Sequence, residues 1–366
     1  MRRDRQTISV SEPRNLLVAI RRRPAMYIGG MDMSGLINYL LSPVAMLLAH
    51  GAKRIDVTVN DGFEIGSDVV IAVEQTDDGR ITPFQELRPP GTSTGYQEIE
   101  PVSTPHDYPD TRLTMLNALS EQLSVSVDTG ALLQKVSFIR GDLESYSATE
   151  STDYLKGTVL RFEPDCSIFT VTDLSPAILT SYLRRFSYFH EGVRFTLTQK
   201  GDRHEFFVED GIAELFTAIS TPYQLMHEPI HIVAHEGSLD LKVVMAYHNW
   251  KTNHLWSFIN NGRAVKGGTH EQGLTQGLKR LREKLDLTED FNNGVVAVAF
   301  MRYPGATWDG ATRHKISNFE LKRMVSRLVV SGVALWLEKR PDVEAQIRQL
   351  QTFSFPDTWN EDILKS

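Results

Sequence analysis

Between Met33 and Ile55 the chain carries neither an aspartate nor a glutamate. Within that window Leu36–His50 has the apolar density of a helix, and Ile55-Asp56-Val57-Thr58-Val59 follows with the alternation of a strand. Ser42-Pro43 inside the segment is expected to kink the helix or to mark its first turn.

Composition reads as that of a soluble globular protein. Its 366 residues allow two or three domains, and 41% hydrophobic with 23% charged residues is ordinary for a globular chain. No apolar run approaches the ~20 residues of a membrane span, and the first residues do not read as a signal peptide. The single cysteine, Cys166, excludes an intramolecular disulfide and fits a reducing cytoplasm; close to Pro164 in a strand-like context, it is expected to pack. We therefore expect a cytoplasmic protein without a membrane partner.

A net charge of −7 argues against general coating of nucleic acid, but the charge is uneven. Arg2, Arg3, Arg5, Arg14, Arg21, Arg22 and Arg23 crowd the N-terminus against Asp4 and Glu12. Arg313, Lys315, Lys322, Arg323 and Arg327 face the single acid Glu320. Such runs either track phosphates or form solvated helix faces, and Lys322, Arg323 and Arg327 are the candidate DNA contacts.

Patterning divides the chain into a polar arm (1–15), a first domain (16–207) and a second (208–366). Val69–Val73 reads as a strand turning sharply at Thr76–Arg80, and 85–112 is a long Pro-rich irregular stretch. Helical spacing runs through Ser175–Phe189, and strand alternation resumes at Val193–Leu197. Beyond Val208 we expect a helix near Gly211–Ile219, a hairpin of Ile230–Val233 with Leu239–Met245 and a helix over Leu274–Leu285. A strand at Val295–Met301 and a terminal helix from Asn318 complete it. His227, His231 and His235 would share one face of a helix, but Pro229 and the Ile-His-Ile-Val run place them on a strand, too far apart for one metal.

Ordered motifs then give a resemblance. They are Arg21-Arg22-Arg23-Pro24-Ala25-Met26-Tyr27-Ile28-Gly29, Leu116-Asn117-Ala118-Leu119-Ser120, Gly157-Thr158-Val159-Leu160-Arg161-Phe162-Glu163-Pro164, Asn260-Asn261 with Gly267-Gly268-Thr269-His270, and Gly294–Val298. Their order resembles that in the ATPase subunit of bacterial type II topoisomerases, the gyrase B and topoisomerase IV group. The resemblance implies an α/β two-domain fold. Its first part would be a Bergerat-type α+β sandwich, as in gyrase, heat-shock-90, histidine kinases and mismatch-repair L. Its second would be a ribosomal-S5-domain-2-like transducer. It also implies ATP and magnesium as cofactors, and an arm that embraces a partner subunit.

The residues depart from that family where its chemistry lies. Counting forward from Gly35-Leu36, the general base falls on Ser42 and the magnesium-binding asparagine on Met46; counting back from Ile55, they fall on Asn38 and Ser42. His50 is the other candidate base, and its place at the helix end reads as a surface or capping histidine. Where the family's lid has closely spaced glycines, Tyr108–Leu113 has none. Ala311 and Arg313 replace the glutamine and lysine of the phosphate-reaching loop. Asp77 and Gly79 resemble the adenine end, supported by Thr158, although Asp-Asp-Gly is also a common tight turn.

The expectation is a vestigial nucleotide site (Asp77, Gly79, Thr158, Arg313), no catalytic or metal residues, and a pseudo-ATPase. It would form a homodimer or pair with a topoisomerase ATPase subunit. The alternatives are a weak or split ATPase module and a DNA-binding accessory protein. No E-G-D-S or D-x-D cluster is present, so the chain alone is not expected to be a topoisomerase.

Overall fold

The computed structural model describes residues 13–71, 74–75, 81–82, 112–151, 156–250, 252–260, 266–286, 294–307, 309 and 315–349. The chain divides into two compact units, Met1–Ser187 with Gly192–Phe207, and Tyr188–Glu191 with Val208–Ser366.

The first unit opens with α1 (Pro13–Arg22), α2 (Ala25–Ile28) and α3 (Met33–Ala49). Strands β1 (Arg54–Val59) and β2 (Phe63–Ser67) follow, then β3 (Glu74–Gln75) and β4 (Ile81–Thr82). After α4 (Arg112–Leu119) come β5 (Ser120–Asp128), β6 (Leu132–Ile139), β7 (Asp142–Glu150) and β8 (Gly157–Pro164). Helix α5 (Pro176–Phe189), whose last two residues fall in the second unit, leads to β9 (Arg194–Gln199) and β10 (Asp202–Phe206). One eight-stranded sheet has the order β10-β9-β1-β2-β8-β5-β6-β7.

Alternation decides which face of this sheet is covered. Ile55, Val57 and Val59 on β1, Ile65 on β2, and Leu123, Val125 and Val127 on β5 all bury into one core with α3 and α4. Tyr39 of α3 joins that core edge-on to Phe162 of β8, at 5.3 Å between centroids. Of the stretch expected as a strand at Val69–Val73, Ala72 and Val73 lie outside the described residues. Residues 69–71 make no ladder; Thr158 binds Val69 O and Ile71 N instead. Among the described residues that follow, Glu74–Gln75 and Ile81–Thr82 pair as a two-residue ladder.

The second unit contains α6 (Gly211–Ser220), β11 (Ile230–Glu236), β12 (Leu239–Tyr247) and β13 (His254–Ile259). It continues through α7 (Thr269–Lys284), β14 (Val295–Arg302), α8 (Phe319–Glu338) and α9 (Pro341–Gln349). Its sheet has the order β11-β12-β14-β13, with β13 and β14 parallel across the α7 crossover. β14 is buried on both faces, which explains its unbroken apolar run. Val295, Ala297 and Ala299 pack with α7 and α8, whereas Val296, Val298 and Phe300 pack with α6 and Phe189. Gly277 of α7 permits close helix packing, because a Cβ there would lie 2.9 Å from Val329 Cβ. Helix α7 starts at Thr269, five residues before the expected Leu274, because its first turn is polar and carries no apolar period. Among the described residues no helix is long and apolar enough to cross a membrane.

Candidate nucleotide site

Helix α3 is the element on which a nucleotide site of the expected kind would depend. Asp32 caps it, accepting from Ser34 N at 3.0 Å and Gly35 N at 3.4 Å. A bond from the Ser34 hydroxyl, and then those two, hold the Asp32 carboxyl below its ordinary pKa. Gly35 can only be glycine, since a Cβ would sit 2.0 Å from Gly30 O. From Gly35 to Leu48 every side chain is buried except Asn38. Asn38 is half-buried and donates Nδ2 to Ile28 O at 2.9 Å, tying α3 to the end of α2. The helix runs through Pro43, which lies in its second half rather than its first turn.

The polar groups of α3 are engaged with protein. Ser120 donates to Leu116 O at 2.6 Å, so Tyr39 must be the donor in its 2.6 Å bond to Ser120 Oγ. Burial pushes the Tyr39 hydroxyl far above its ordinary pKa. His50 sits at the C-cap with Nδ1 2.9 Å from Met46 O, so it caps the helix. Ser42 and Met46 are both buried.

Thr158 is the one candidate nucleotide residue that the described part contains. Fully buried on β8, it donates to Val69 O at 2.7 Å and accepts from Ile71 N at 3.1 Å. It thereby pins the chain leading to β3. Asp77, Gly79 and Arg313 lie outside the described residues, as does the expected lid at 85–112 apart from Arg112.

A cleft of about 260 Å³ opens at the other end of β8, among Asp61, Glu121, Glu163, Cys166 and Asp173. Thr158 pairs with Ser67 and Phe162 with Phe63, so the cleft lies roughly 15–20 Å along the strand from Thr158. Its four carboxylates would repel phosphate. Cys166, expected to pack, is instead exposed in the turn after β8. The alternation that buries Leu160 and Phe162 ends with the strand.

The N-terminal basic run is likewise spent inside the protein in part. Arg21 donates to Ala118 O at 2.7 Å and to the Asp165 carboxylate at 2.5 Å. Burial pushes the Asp165 carboxyl up, but bonds from Ser167 and Arg21 outweigh that and leave it below its ordinary pKa.

In the second unit the Gly-Gly-Thr-His segment is a joint. Gly268 has φ 148°, and a Cβ on it would meet Ile316 O at 2.4 Å. Thr269 N donates to Ile316 O, and Ile316 N to Gly267 O, both at 3.1 Å. Ser257 donates to Glu271 at 2.5 Å, so His270 Nε2 must carry the proton it gives Ser257 Oγ at 3.1 Å. Burial lowers the His270 pKa to about 4. Asn260 bonds the Tyr303 backbone through both side-chain ends, at 2.7 and 2.8 Å.

Of the candidate DNA contacts, Arg327 is forked onto Glu236, with Nε at 3.0 Å. Arg323 is exposed and Lys322 half-buried. His231 and His235 do lie on a strand, β11; His227 precedes it and accepts from Tyr247 N at 2.9 Å. Among the described residues no group of three His, Cys, Asp or Glu is placed to hold a metal.

Comparison with known proteins places this geometry. Residues 211–353 match the sequence model of the DNA gyrase B family. The chain is 28% identical over 357 residues to DNA gyrase B of Archaeoglobus fulgidus, covering 89% of this chain and 55% of that protein. It is 27% identical to DNA gyrase B of Halalkalibacterium halodurans, covering 95% and 59%. The chain thus spans about half the length of the curated relatives it matches. The crystal structure of the 43K ATPase domain of Thermus thermophilus gyrase B, in complex with an aminocoumarin, superposes with TM-score 0.72. That match is 23% identical and covers 92% of this chain and 93% of that one. Gyrase B of Myxococcus xanthus gives TM-score 0.71 at 19% identity, covering 92% and 99%. The chain resembles the ATPase-plus-transducer region of gyrase B, and its fold is of that type.

Proposed function

We propose that this chain, which has the fold of the ATPase-plus-transducer region of gyrase B, is a pseudo-ATPase that acts by association rather than by hydrolysis. The observation that carries the reading is the content of α3. In one register the base and metal positions are Ser42 and Met46, both buried; in the other they are Asn38 and Ser42. A serine hydroxyl cannot take a proton from water at neutral pH, and losing a general base costs typically 10²–10⁴ in rate. Magnesium is a hard ion that takes oxygen ligands, so Met46 does not suit it. Asn38 carries a neutral amide, which is no base, and its Nδ2 is tied to Ile28 O. His50 is turned to Met46 O. These residues do not fit a magnesium–ATP centre.

Thr158 favours retention of part of the pocket, with Asp77, Gly79 and Arg313 as the other vestigial nucleotide contacts. The chain would then act as a homodimer or paired with a topoisomerase ATPase subunit, where a non-hydrolysing half blocks ATP-driven closure. A weak or split ATPase module is the second reading, and it too draws on Thr158. Calorimetric titration with magnesium and a non-hydrolysable ATP analogue, then with ADP alone, tests these readings together. Binding without turnover supports a regulatory nucleotide, and no heat at millimolar ligand means an abandoned pocket. Binding accompanied by turnover in a parallel phosphate assay with ATP itself overturns the pseudo-ATPase.

A further inference from the structure

Strand β7 ends the eight-stranded sheet, and all nine of its residues are exposed. On its inner side it pairs with β6 from Leu132↔Glu150 to Ile139↔Asp142. Its outer side has no strand beside it among the described residues. Alternate residues of a strand point their N–H and C=O groups to opposite sides, so a row of backbone groups on β7 faces outward.

Exposed edges are commonly blunted by proline, charged side chains (lysine above all), short length or a bulge. β7 has no proline or lysine. It has one irregularity: Ser137 pairs with Ser145 and Phe138 with Leu143, leaving Glu144 as the extra residue. Glu144 accepts from Ser137 Oγ at 3.0 Å, which fixes the bulge near one end. Ser145–Glu150 remains as six regular residues.

Two properties of that stretch define an occupant. Tyr146 pairs with Val136, and Leu143 with Phe138; Val136 and Phe138 are buried, so Tyr146 and Leu143 continue the face that forms the core. Both are exposed, as is Leu132 on the same face, which leaves an apolar strip beside the open edge. Asp142, Glu144 and Glu150 are the charged residues of the strand, and all are acidic. A second copy laid antiparallel across Ser147 would set Glu144 against Glu150 at both ends, which is unfavourable. A strand bearing lysine or arginine at those places would meet opposite charge.

We propose that β7 is a docking edge for an extended, basic segment of a partner protein. The segment would add as a further strand along Ser145–Glu150, with apolar side chains on the Leu132–Tyr146 strip and cations against Glu144 and Glu150.

Hydrogen exchange on the full chain tests this, with synthetic peptides as probes. A peptide with valine set opposite Tyr146 and lysines set opposite Glu144 and Glu150 should slow exchange of the 145–150 amides, and its acidic counterpart should not. The same basic peptide N-methylated on alternate residues keeps its charge but cannot form a ladder, and the loss of about three hydrogen bonds should weaken it at least about tenfold. The E144K/E150K variant should reverse the preference between basic and acidic peptides. Equal binding of the N-methylated peptide would overturn the proposal, because attraction alone would then suffice. So would protection mapped to the cleft at Asp61 and Glu163, or no protection at millimolar peptide. Protection of 145–150 that rises with protein concentration, without peptide, would assign the edge to a second copy and also overturn it.

Discussion

Replacing Thr158 with valine removes one hydroxyl and almost no volume. Two backbone groups then lose their partner: Val69 O, held at 2.7 Å, and Ile71 N, held at 3.1 Å. Thr158 is fully buried and Ile71 nearly so, so water cannot substitute readily. A net hydrogen bond is worth about 0.5–1.5 kcal/mol and a stranded buried polar group about 1–3, so Thr158→Val should destabilise the first unit by about 2–4 kcal/mol. For a unit of this size, where 1 kcal/mol moves Tm by about 2–4 °C, that is roughly 5–15 °C. All five tryptophans lie beyond Val208, so tryptophan fluorescence reports the second unit. Thermal melts followed by far-ultraviolet dichroism, with tryptophan emission alongside, should therefore show the loss in the first signal. Thr158→Ser keeps the hydroxyl and should recover most of it. Equal shifts for the valine and serine variants would refute the hydrogen-bond argument and leave Thr158 as packing only.

Arg21→Gln should cost the first unit about 1.5–3 kcal/mol in a urea titration, because the buried Asp165 carboxylate loses a charged donor. Burial lowers both His248 and His270 from 6.5 to about 4, so each is held neutral in the folded second unit. Their stabilisation is complete above pH 6.5 and is lost as pH falls from 6.5 towards 4. Tryptophan-monitored urea midpoints should fall across that window, and His270→Gln should flatten the fall. Alanine at Lys322 and Arg323 should lower any DNA affinity and reduce its salt slope by about one per lost contact. Arg327→Ala should change that slope less, because its guanidinium is paired with Glu236. An equal change for Arg327 would show that the pair opens on DNA.

Most of the scaffold was legible because its motifs combine geometry with apolar period. Gly157–Pro164 announces β8, and the apolar density of Leu36–His50 announces α3. What escaped was decided by partners distant in sequence. Arg21 reads as one of a basic run, yet it is committed to Asp165, 144 residues away. Cys166 sits next to a strand in sequence but in a turn in space. β7 has little apolar alternation, and its strand character comes from pairing with β6. At the site, the residue types of α3 could be read directly, whereas the burial that encloses Ser42 and the capping contact of His50 needed the fold.

Whether α3 can support hydrolysis is tested most directly by single-turnover chemistry. Protein in molar excess over labelled ATP, with magnesium, removes affinity and product release from the measurement. Phosphate formed, read after acid quench, should be indistinguishable from buffer and unchanged by Ser42→Ala. Formation above buffer that Ser42→Ala abolishes would contradict the pseudo-ATPase, by showing that α3 carries a working, unconventional base.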